Sequence, residues 1–256
     1  MNEPSDPVGF FDSGLGGLSV RAAFRRLAPH ESTVYLADSA NCPYGNRPPE
    51  EIRARAFAVT RRLLFDEHAK MIVVACNTAT AAAIDALRAA FPETPFIGLE
   101  PAVKPAACQS KSGVVGVLAT AGTFNGRLYN ETKAKFARGI TVLATVADEF
   151  VTLVERAPLN AAGEVVAPDG PDVEQIVRAK VEPLLAAGAD HLVLGCTHFP
   201  HLKPVIERVA AGRAVVLDPS EAVARQAIRR LAACHLVASE SQVPVHRLWR
   251  DETLLA

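Results

Sequence analysis

The sequence predicts an α/β protein of two similar halves with mostly parallel sheets, and three observations carry that prediction. Short apolar runs alternate with helix-period stretches along most of the chain. That is the pattern of strand–helix–strand crossovers whose sheets are covered on both faces. One programme (strand, small-residue turn, helix, strand, helix, strand ending in cysteine) is read from Val8 and again from Gly113, as in an internal duplication. The two runs Ile72-Val73-Val74-Ala75 and Leu192-Val193-Leu194-Gly195 both stop at a cysteine, Cys76 and Cys196, with helical patterns behind them. In open α/β sheets, ligands sit at the carboxyl ends of such strands.

The elements follow in order. Val8-Gly9-Phe10-Phe11 is the first strand, stopped by Asp12-Ser13-Gly14-Leu15-Gly16-Gly17. Val20, Ala23, Phe24 and Leu27 then share one helical face. Residues 33–37 form a second strand, and the loop 41–49 is rich in turn formers. A helix from about Glu50 buries Ile52, Ala56, Val59 and Leu63. The first cysteine-ended strand is followed by a helix carrying Ala83, Ile84, Leu87 and Phe91, and by a fourth strand over 94–99. The second half opens with a strand at 113–118 and a helix carrying Phe124, Thr132 and Phe136. A strand at 140–144, a short helix from Glu149 to Arg156, a polar loop over 157–171 and a helix over 172–187 follow. The second cysteine-ended strand and another helix complete this half. The βα unit that begins at Ala214 is expected to return to the first lobe, and the tail with Trp249 is a last strand or an extended arm. The expected division is therefore residues 1–98 with 213–256 as one lobe, and 99–212 as the other.

Composition narrows the function. The chain has 256 residues, a net charge of -1 and 49% apolar residues. It has a core to build but no basic excess that would draw it to nucleic acid or an anionic membrane. No apolar stretch is long enough to span a bilayer, and the N-terminal residues lack a secretion-signal pattern. Five cysteines, an odd number without CxxC spacing, argue against a disulfide framework and for a reducing, cytoplasmic setting.

Chemistry concentrates at the strand ends. A thiol just before a helix start is expected to have its pKa lowered by the helix N-terminus. Asn77, Thr78 and Thr197 add donors beside the two thiols, and first-turn N–H groups can hold a carboxylate. Two thiols facing each other across a cleft suit removal of a proton from one side of a carbon and delivery to the other. His198 is placed to tune or relay protons to Cys196. Cys196, His198 and His201 are metal ligands by residue type, but no further cluster with zinc spacing accompanies them, and no metal is expected. Asp12 and Asp38 lie at strand ends, where carboxylates cap helices or bind ligands. Gly14-Leu15-Gly16-Gly17-Leu18-Ser19 approximates a dinucleotide fingerprint, with Asp38 near the ribose position, although Ser19 replaces the third glycine. A nicotinamide-dependent oxidoreductase is the rival reading that follows. Cys42, Cys108 and Cys234 read as structural.

Four stretches carry a family resemblance: Phe11-Asp12-Ser13-Gly14-Leu15-Gly16-Gly17, Cys42-Pro43-Tyr44-Gly45, Ala75-Cys76-Asn77-Thr78-Ala79-Thr80 and Leu194-Gly195-Cys196-Thr197-His198-Phe199-Pro200. Over nearly its whole length the chain resembles the cofactor-independent glutamate racemases, which interconvert L- and D-glutamate for peptidoglycan synthesis. The resemblance implies two pseudo-symmetric Rossmann-like or flavodoxin-like α/β lobes with the active site in the cleft between them. It also implies no cofactor, and a homodimer. Cys76 and Cys196 become the acid/base residues, Cys196 for the L-glutamate proton and Cys76 for the D-glutamate proton. Asp12 assists Cys76, while His198 and Glu155 assist Cys196; the stretch ending at Glu155 has Thr152 where the family usually has proline. Ser13, Tyr44, Gly45, Asn77, Thr78, Thr120 and Thr197 match substrate-contact positions, as do Asp12 and His198. The short N-terminus lacks the extension of members activated by a cell-wall precursor, so no such activation is expected. A racemase of aspartate or another acidic amino acid is the nearest alternative.

Overall fold

Each half of the chain is framed by a central strand with parallel neighbours on both sides. The computed structural model describes residues 3–137 and 139–255. In the first half, β1 (Val8–Asp12), α1 (Leu18–Leu27), β2 (Thr33–Ala37), α2 (Pro49–Phe65), β3 (Met71–Val74), α3 (Asn77–Ala90) and β4 (Phe96–Ile97) follow one another. The second half runs α4 (Val103–Gln109), β5 (Val114–Ala119), α5 (Ala121–Asn125), α6 (Arg127–Phe136), β6 (Thr141–Val146), α7 (Asp148–Glu155), α8 (Pro171–Ala186), β7 (His191–Leu194), α9 (Lys203–Ala210) and β8 (Val215–Leu217). The chain ends with α10 (Ser220–Ala233), β9 (His246–Arg250) and β10 (Thr253–Leu254).

Two sheets result, ordered β10-β9-β2-β1-β3-β4 and β6-β5-β7-β8. Among the described strands, only the β9–β10 pair is antiparallel; the other pairs are parallel. The orders β2-β1-β3-β4 and β6-β5-β7-β8 are the same arrangement used twice, so the duplicated programme in the sequence is a duplicated topology. In each, the chain reverses direction across the sheet between the central strand and its third neighbour, and ligands collect at such a switch point.

Strand alternation explains the burial on both faces. Phe10, Tyr35 and Val73 pack against Val20 and Phe24 of α1 and Ala224 and Leu231 of α10. Phe11, Leu36 and Val74 point the other way, onto Ile52 and Leu63 of α2 and Ile84 and Leu87 of α3. The second sheet repeats this. Leu118, Leu192 and Leu194 meet α7, α8 and α9, while Val115, Val117 and Val193 meet α4 and Tyr129 of α6. Helix starts are set locally as well. Pro49 opens α2 with Glu50 and Glu51 in its first turn, which suits the missing N–H and the positive end of the helix dipole.

Three features differ from the sequence expectation. The strand at 215–217 pairs with β7 in the second sheet rather than returning to the first, so the first lobe does not resume at residue 213. The reason is the short link after α9: Ala211 and Gly212 both take positive φ and turn the chain straight back, which leaves β8 room only beside β7. The return is made by α10, packed against α1, and by β9, parallel to β2. Helix α4 was not foreseen, its seven residues containing Pro105. The single helix expected around Phe124 is two, broken at Gly126, whose backbone is extended. Trp249 belongs to the strand β9 and lies under the Arg62 guanidinium, 4.6 Å from the ring centroid.

One buried ion pair closes the base of the first lobe. Lys70 Nζ lies 2.7 Å from Glu31 Oε2 with both side chains out of solvent, and Glu31 Oε1 accepts the Ala238 N–H at 2.8 Å. The pair joins the turn before β2, the start of β3 and the segment after α10. Removing one member of such a pair leaves a buried charge and costs about 3–5 kcal/mol. Glu31→Ala is therefore expected to lower the urea midpoint of unfolding by an amount equivalent to that loss; an unchanged midpoint would contradict it.

Candidate active site

The two lobes face each other through their strand C-termini. Asp12 ends β1 and Thr120 follows β5, while Cys76 follows β3 and Cys196 lies two residues beyond β7. Since β1 corresponds to β5 and β3 to β7, the two cysteines occupy equivalent places, and so do Ser13 and Thr120. Of the site residues expected from the sequence, all but Glu155 line one cavity, together with Pro43 and Val151. The space is about 10 Å³, room for about one water molecule.

Cys196 is the head of a chain of acid–base groups. Its Sγ lies 3.6 Å from His198 Nδ1, and His198 Nε2 lies 2.7 Å from Glu155 Oε1. Glu155 Oε1 also accepts the Leu15 N–H at 2.6 Å, and Arg250 stands 3.8 Å from Oε2. Burial works against charge on His198. Hydrogen bonding to Cys196, Cys42 and Glu155 outweighs it and pushes His198 well above the usual histidine range. Burial likewise opposes charge on Glu155, but His198, the Leu15 N–H and Arg250 hold the carboxyl below its ordinary value. The pair is an imidazolium–carboxylate couple beside a thiol, so the sulfur has a counter-ion for negative charge.

The Cys76 side has the opposite character. Cys76 caps α3, its Sγ accepting the Ala79 N–H at 3.4 Å. The sequence expectation of a lowered thiol pKa there is not met. Burial first, and then the Asp12 carboxylate, push Cys76 well above the ordinary thiol value, against the pull of the Ala79 N–H. Asp12 is itself fully buried. Its Oδ1 accepts the Ser13 N–H at 2.7 Å; its Oδ2 accepts the Gly17 N–H at 2.7 Å and the Thr197 hydroxyl at 2.9 Å. Burial pushes Asp12 up from the usual carboxylate range, although His198 and hydrogen bonds from Cys76, Thr197 and Ser13 draw it down. The Cys76 thiol is thus held in its protonated form by burial and by the carboxylate beside it.

The remaining expected residues divide by what holds them. Tyr44 donates its hydroxyl to Asp38 Oδ2 at 2.5 Å, and Asp38 Oδ1 takes the Asn41 amide at 2.8 Å. Asp38 is therefore a support for the Tyr44 loop. Thr120 Oγ1 is 3.1 Å from Thr123 Oγ1. Both polar atoms of the Asn77 side chain are buried without a partner among the described residues, and Asn77 lines the cavity. Unpaired buried amides are costly, so this one is aimed at something that enters.

The glycine turn is filled by protein. A Cβ on Gly14 would lie 2.1 Å from Glu155 Oε1, and one on Gly16 would lie 2.4 Å from His198 Nδ1. The glycines let the opposite lobe's acid–base groups approach the backbone. The Ser13, Leu15 and Gly17 N–H groups are taken by Asp12 and Glu155, so the turn has no pyrophosphate cradle and the dinucleotide reading fails. His201 is held outside this network, donating to the Gly16 carbonyl at 3.1 Å; burial lowers its pKa to about 4, so it is neutral. Sequence reasoning missed Cys42, set aside as structural. Its thiol lies 3.9 Å from Ser13 Oγ and within 4.8 Å of a His198 ring nitrogen. Its place beside Pro43-Tyr44-Gly45 was the available signal.

Comparison with known proteins identifies the family and the fold. A family profile described as Asp/Glu/Hydantoin racemase matches residues 18–227. A glutamate racemase of Ectopseudomonas mendocina (strain ymp) is 43% identical over 249 residues, covering 97% of this chain and 90% of the relative. The crystal structure of a glutamate racemase isoform from Bacillus anthracis superposes with a TM-score of 0.80 at 30% identity, covering 98% of this chain and 90% of that one. A glutamate racemase from Francisella tularensis subsp. tularensis SCHU S4, solved in complex with D-glutamate, gives a TM-score of 0.78 at 27% identity, with 98% and 89% coverage.

The His198–Glu155 couple makes a pH prediction. With its pKa raised on folding, His198 contributes stability that is full below about 6.5 and is lost as pH rises through the folded value. Glu155→Gln removes the carboxylate from Nε2. The ring is then expected to give up its proton at lower pH than in the unsubstituted protein, seen in the ¹⁵N shifts of labelled histidine. An unmoved titration would show that Glu155 does not hold the charge.

Proposed function

The chain belongs to the Asp/Glu/Hydantoin racemase family, and we propose that within it the protein is a glutamate racemase working by two-thiol proton transfer. One observation supports this most directly: two buried thiols at equivalent strand ends line the same cavity, each with its own acid–base partner. Cys196, with the His198 imidazolium as counter-ion, is the base toward L-glutamate. Its thiolate takes the Cα proton and becomes a thiol. Cys76, which burial and Asp12 keep protonated, gives its proton to the opposite face of Cα and becomes a thiolate, so that D-glutamate is formed. In the reverse direction the roles exchange. Before the next turnover Cys196 loses a proton and Cys76 regains one.

The carbanion-like charge at Cα is the chemical difficulty, since no electron sink takes part in this scheme. Donors held at fixed positions, with water excluded, are the means of lowering that barrier. Ser13, Asn77, Thr78, Thr120 and Thr197 supply hydroxyl and amide groups around the cavity, and Tyr44 and Gly45 come from the loop braced by Asp38. The glutamate carboxylates bind to these groups. A cavity of about 10 Å³ admits no amino acid, so the lobes separate for binding and close over the substrate. The moving bodies are residues 1–98 with the segment from α10 onward, and residues 99–217. The working unit is a cytoplasmic homodimer, and its D-glutamate is used in peptidoglycan.

Two tests follow. Cys76→Ala and Cys196→Ala are each expected to abolish racemisation of glutamate while leaving the circular dichroism spectrum intact. The unsubstituted protein should introduce solvent deuterium at Cα of glutamate, and turnover retained in either variant would sink the two-base scheme. Faster exchange on aspartate than on glutamate would replace the substrate. Closure has its own probe. A Cβ on Gly122 would meet Gly45 O at 2.8 Å and Gly45 Cα at 2.9 Å, backbone that has nowhere to go. Gly122→Ala is expected to hold the lobes apart and lower kcat/KM at least about tenfold, a loss of about 1.4 kcal/mol of transition-state stabilisation, without lowering the unfolding midpoint.

A further inference from the structure

A third thiol stands beside the acid–base groups, and the two-thiol scheme gives it no task. Cys42 Sγ, a ring nitrogen of His198 and a carboxylate oxygen of Glu155 all lie within 4.8 Å of one another, the one such trio among the described residues. Cys42 comes from the loop after β2, Glu155 from the end of α7 and His198 from the turn after β7. No spacing in the sequence announces the cluster, because folding brings its members from both lobes. Thiolate, imidazole and carboxylate are the ligand types that zinc takes, and three protein ligands leave a position for water or another donor.

We propose that Cys42, His198 and Glu155 form a binding site for a thiophilic divalent cation such as Zn²⁺, and that filling it stops proton transfer at Cys196. The inhibitory part rests on the racemase reading; the binding does not. His198 Nε2 and Glu155 Oε1 are 2.7 Å apart, and the cation takes the place of the proton they share. The ring is then fixed as a neutral ligand, Glu155 is withdrawn from proton exchange, and Cys196 loses its imidazolium partner. The Cys42 thiol gives up its proton on binding. Burial pushes that thiol up, so affinity increases with pH.

Access and opposition are both visible. Cys42 and Glu155 are half-buried while His198 is enclosed, so the cation enters from the Glu155 side without passing through the closed cavity. Arg250, 3.8 Å from Glu155 Oε2 and partly exposed, is the positive charge that opposes entry. Neutralising it should tighten binding.

The test uses the full chain, freed of metal by chelator, in a Cys108→Ser/Cys234→Ser background so that outlying thiols do not report. Titration with Co²⁺ is expected to give one equivalent of a thiolate-to-cobalt charge-transfer band, displaced by Zn²⁺. Cys42→Ser should abolish the band and weaken Zn²⁺ binding, measured by competition with a chromophoric chelator, at least about tenfold. Arg250→Ala should strengthen it. Zn²⁺ should inhibit glutamate racemisation reversibly, with EDTA restoring the rate. Absence of the band, or its survival in Cys42→Ser, would overturn the site. Stoichiometric binding with undiminished racemisation would overturn the inhibitory role. If chelator-treated protein shows no racemisation at all, the racemase reading falls while the cobalt titration still decides the site.

Discussion

The Asp12 carboxylate is bonded from both lobes, and the cleft takes its form from that. Its Oδ2 receives the Gly17 N–H from its own turn and the Thr197 hydroxyl from the opposite lobe. Holding Gly17 fixes the turn in which the Leu15 N–H points at Glu155. Glu155 then orients His198, and His198 faces Cys196. On the other side the same carboxylate presses on Cys76. One buried group therefore sets the surroundings of both sulfurs, through hydrogen bonds that cross the interface at Thr197 and at Leu15, joined by the backbone of the glycine turn. Charge-assisted bonds of this kind are worth about 1.5–3 kcal/mol each, enough to outweigh the exposed Asp85–Arg127 pair that also joins the lobes, since such surface pairs contribute about 0–1 kcal/mol.

Duplication accounts for the placement of the thiols but not for their difference. The repeated strand order puts Cys76 and Cys196 at matching ends, yet the position that holds Asp12 in the first lobe holds Ala119 in the second. Each thiol draws its partner from elsewhere: Cys76 from β1, Cys196 from its own turn and from α7. Burial and the neighbouring Asp12 carboxylate favour the protonated thiol at Cys76, whereas an imidazolium–carboxylate couple provides positive charge near Cys196. Symmetric geometry with asymmetric electrostatics is what a reaction moving a proton from one face of a carbon to the other requires, because one sulfur must start bare and the other loaded.

Much of this was legible in the sequence. Strands buried on both faces show as unbroken apolar runs, so Val8–Phe11, Ile72–Ala75 and Leu192–Gly195 were readable, and the abrupt cysteines marked the ends where ligands collect. Residues joined by motif, such as Asn77 and Thr197, came with them. What escaped depended on distance along the chain or on competing local forces. The partner of β8 was set by a tight turn of two positive-φ residues at 211 and 212, and the halves' own repetition, which makes β8 the counterpart of β4, was the missed clue. The acidity of Cys76 was misjudged because a helix N-terminus was weighed without the burial and the neighbouring carboxylate that overcome it. The grouping of Cys42 with Ser13, Glu155 and His198 was not legible because these neighbours lie on other elements.

Closure and binding oppose each other at this site, and the donor inventory shows how the conflict is resolved. A dry cavity strengthens every electrostatic contact within it, but a cavity closed to about 10 Å³ has no place for a substrate. In the proposed cycle, opening would break the bond from Thr197 to Asp12 and expose the buried amide of Asn77, which has no partner among the described residues. A dicarboxylate amino acid entering the gap offers acceptors to both. The lobes would then close again, with ligand oxygens meeting the Asn77 amide. The ligand favours the closed state only by the difference in what it satisfies there. In the proposed cycle Asn77, whose buried amide has no partner among the described residues, is the group that makes that difference.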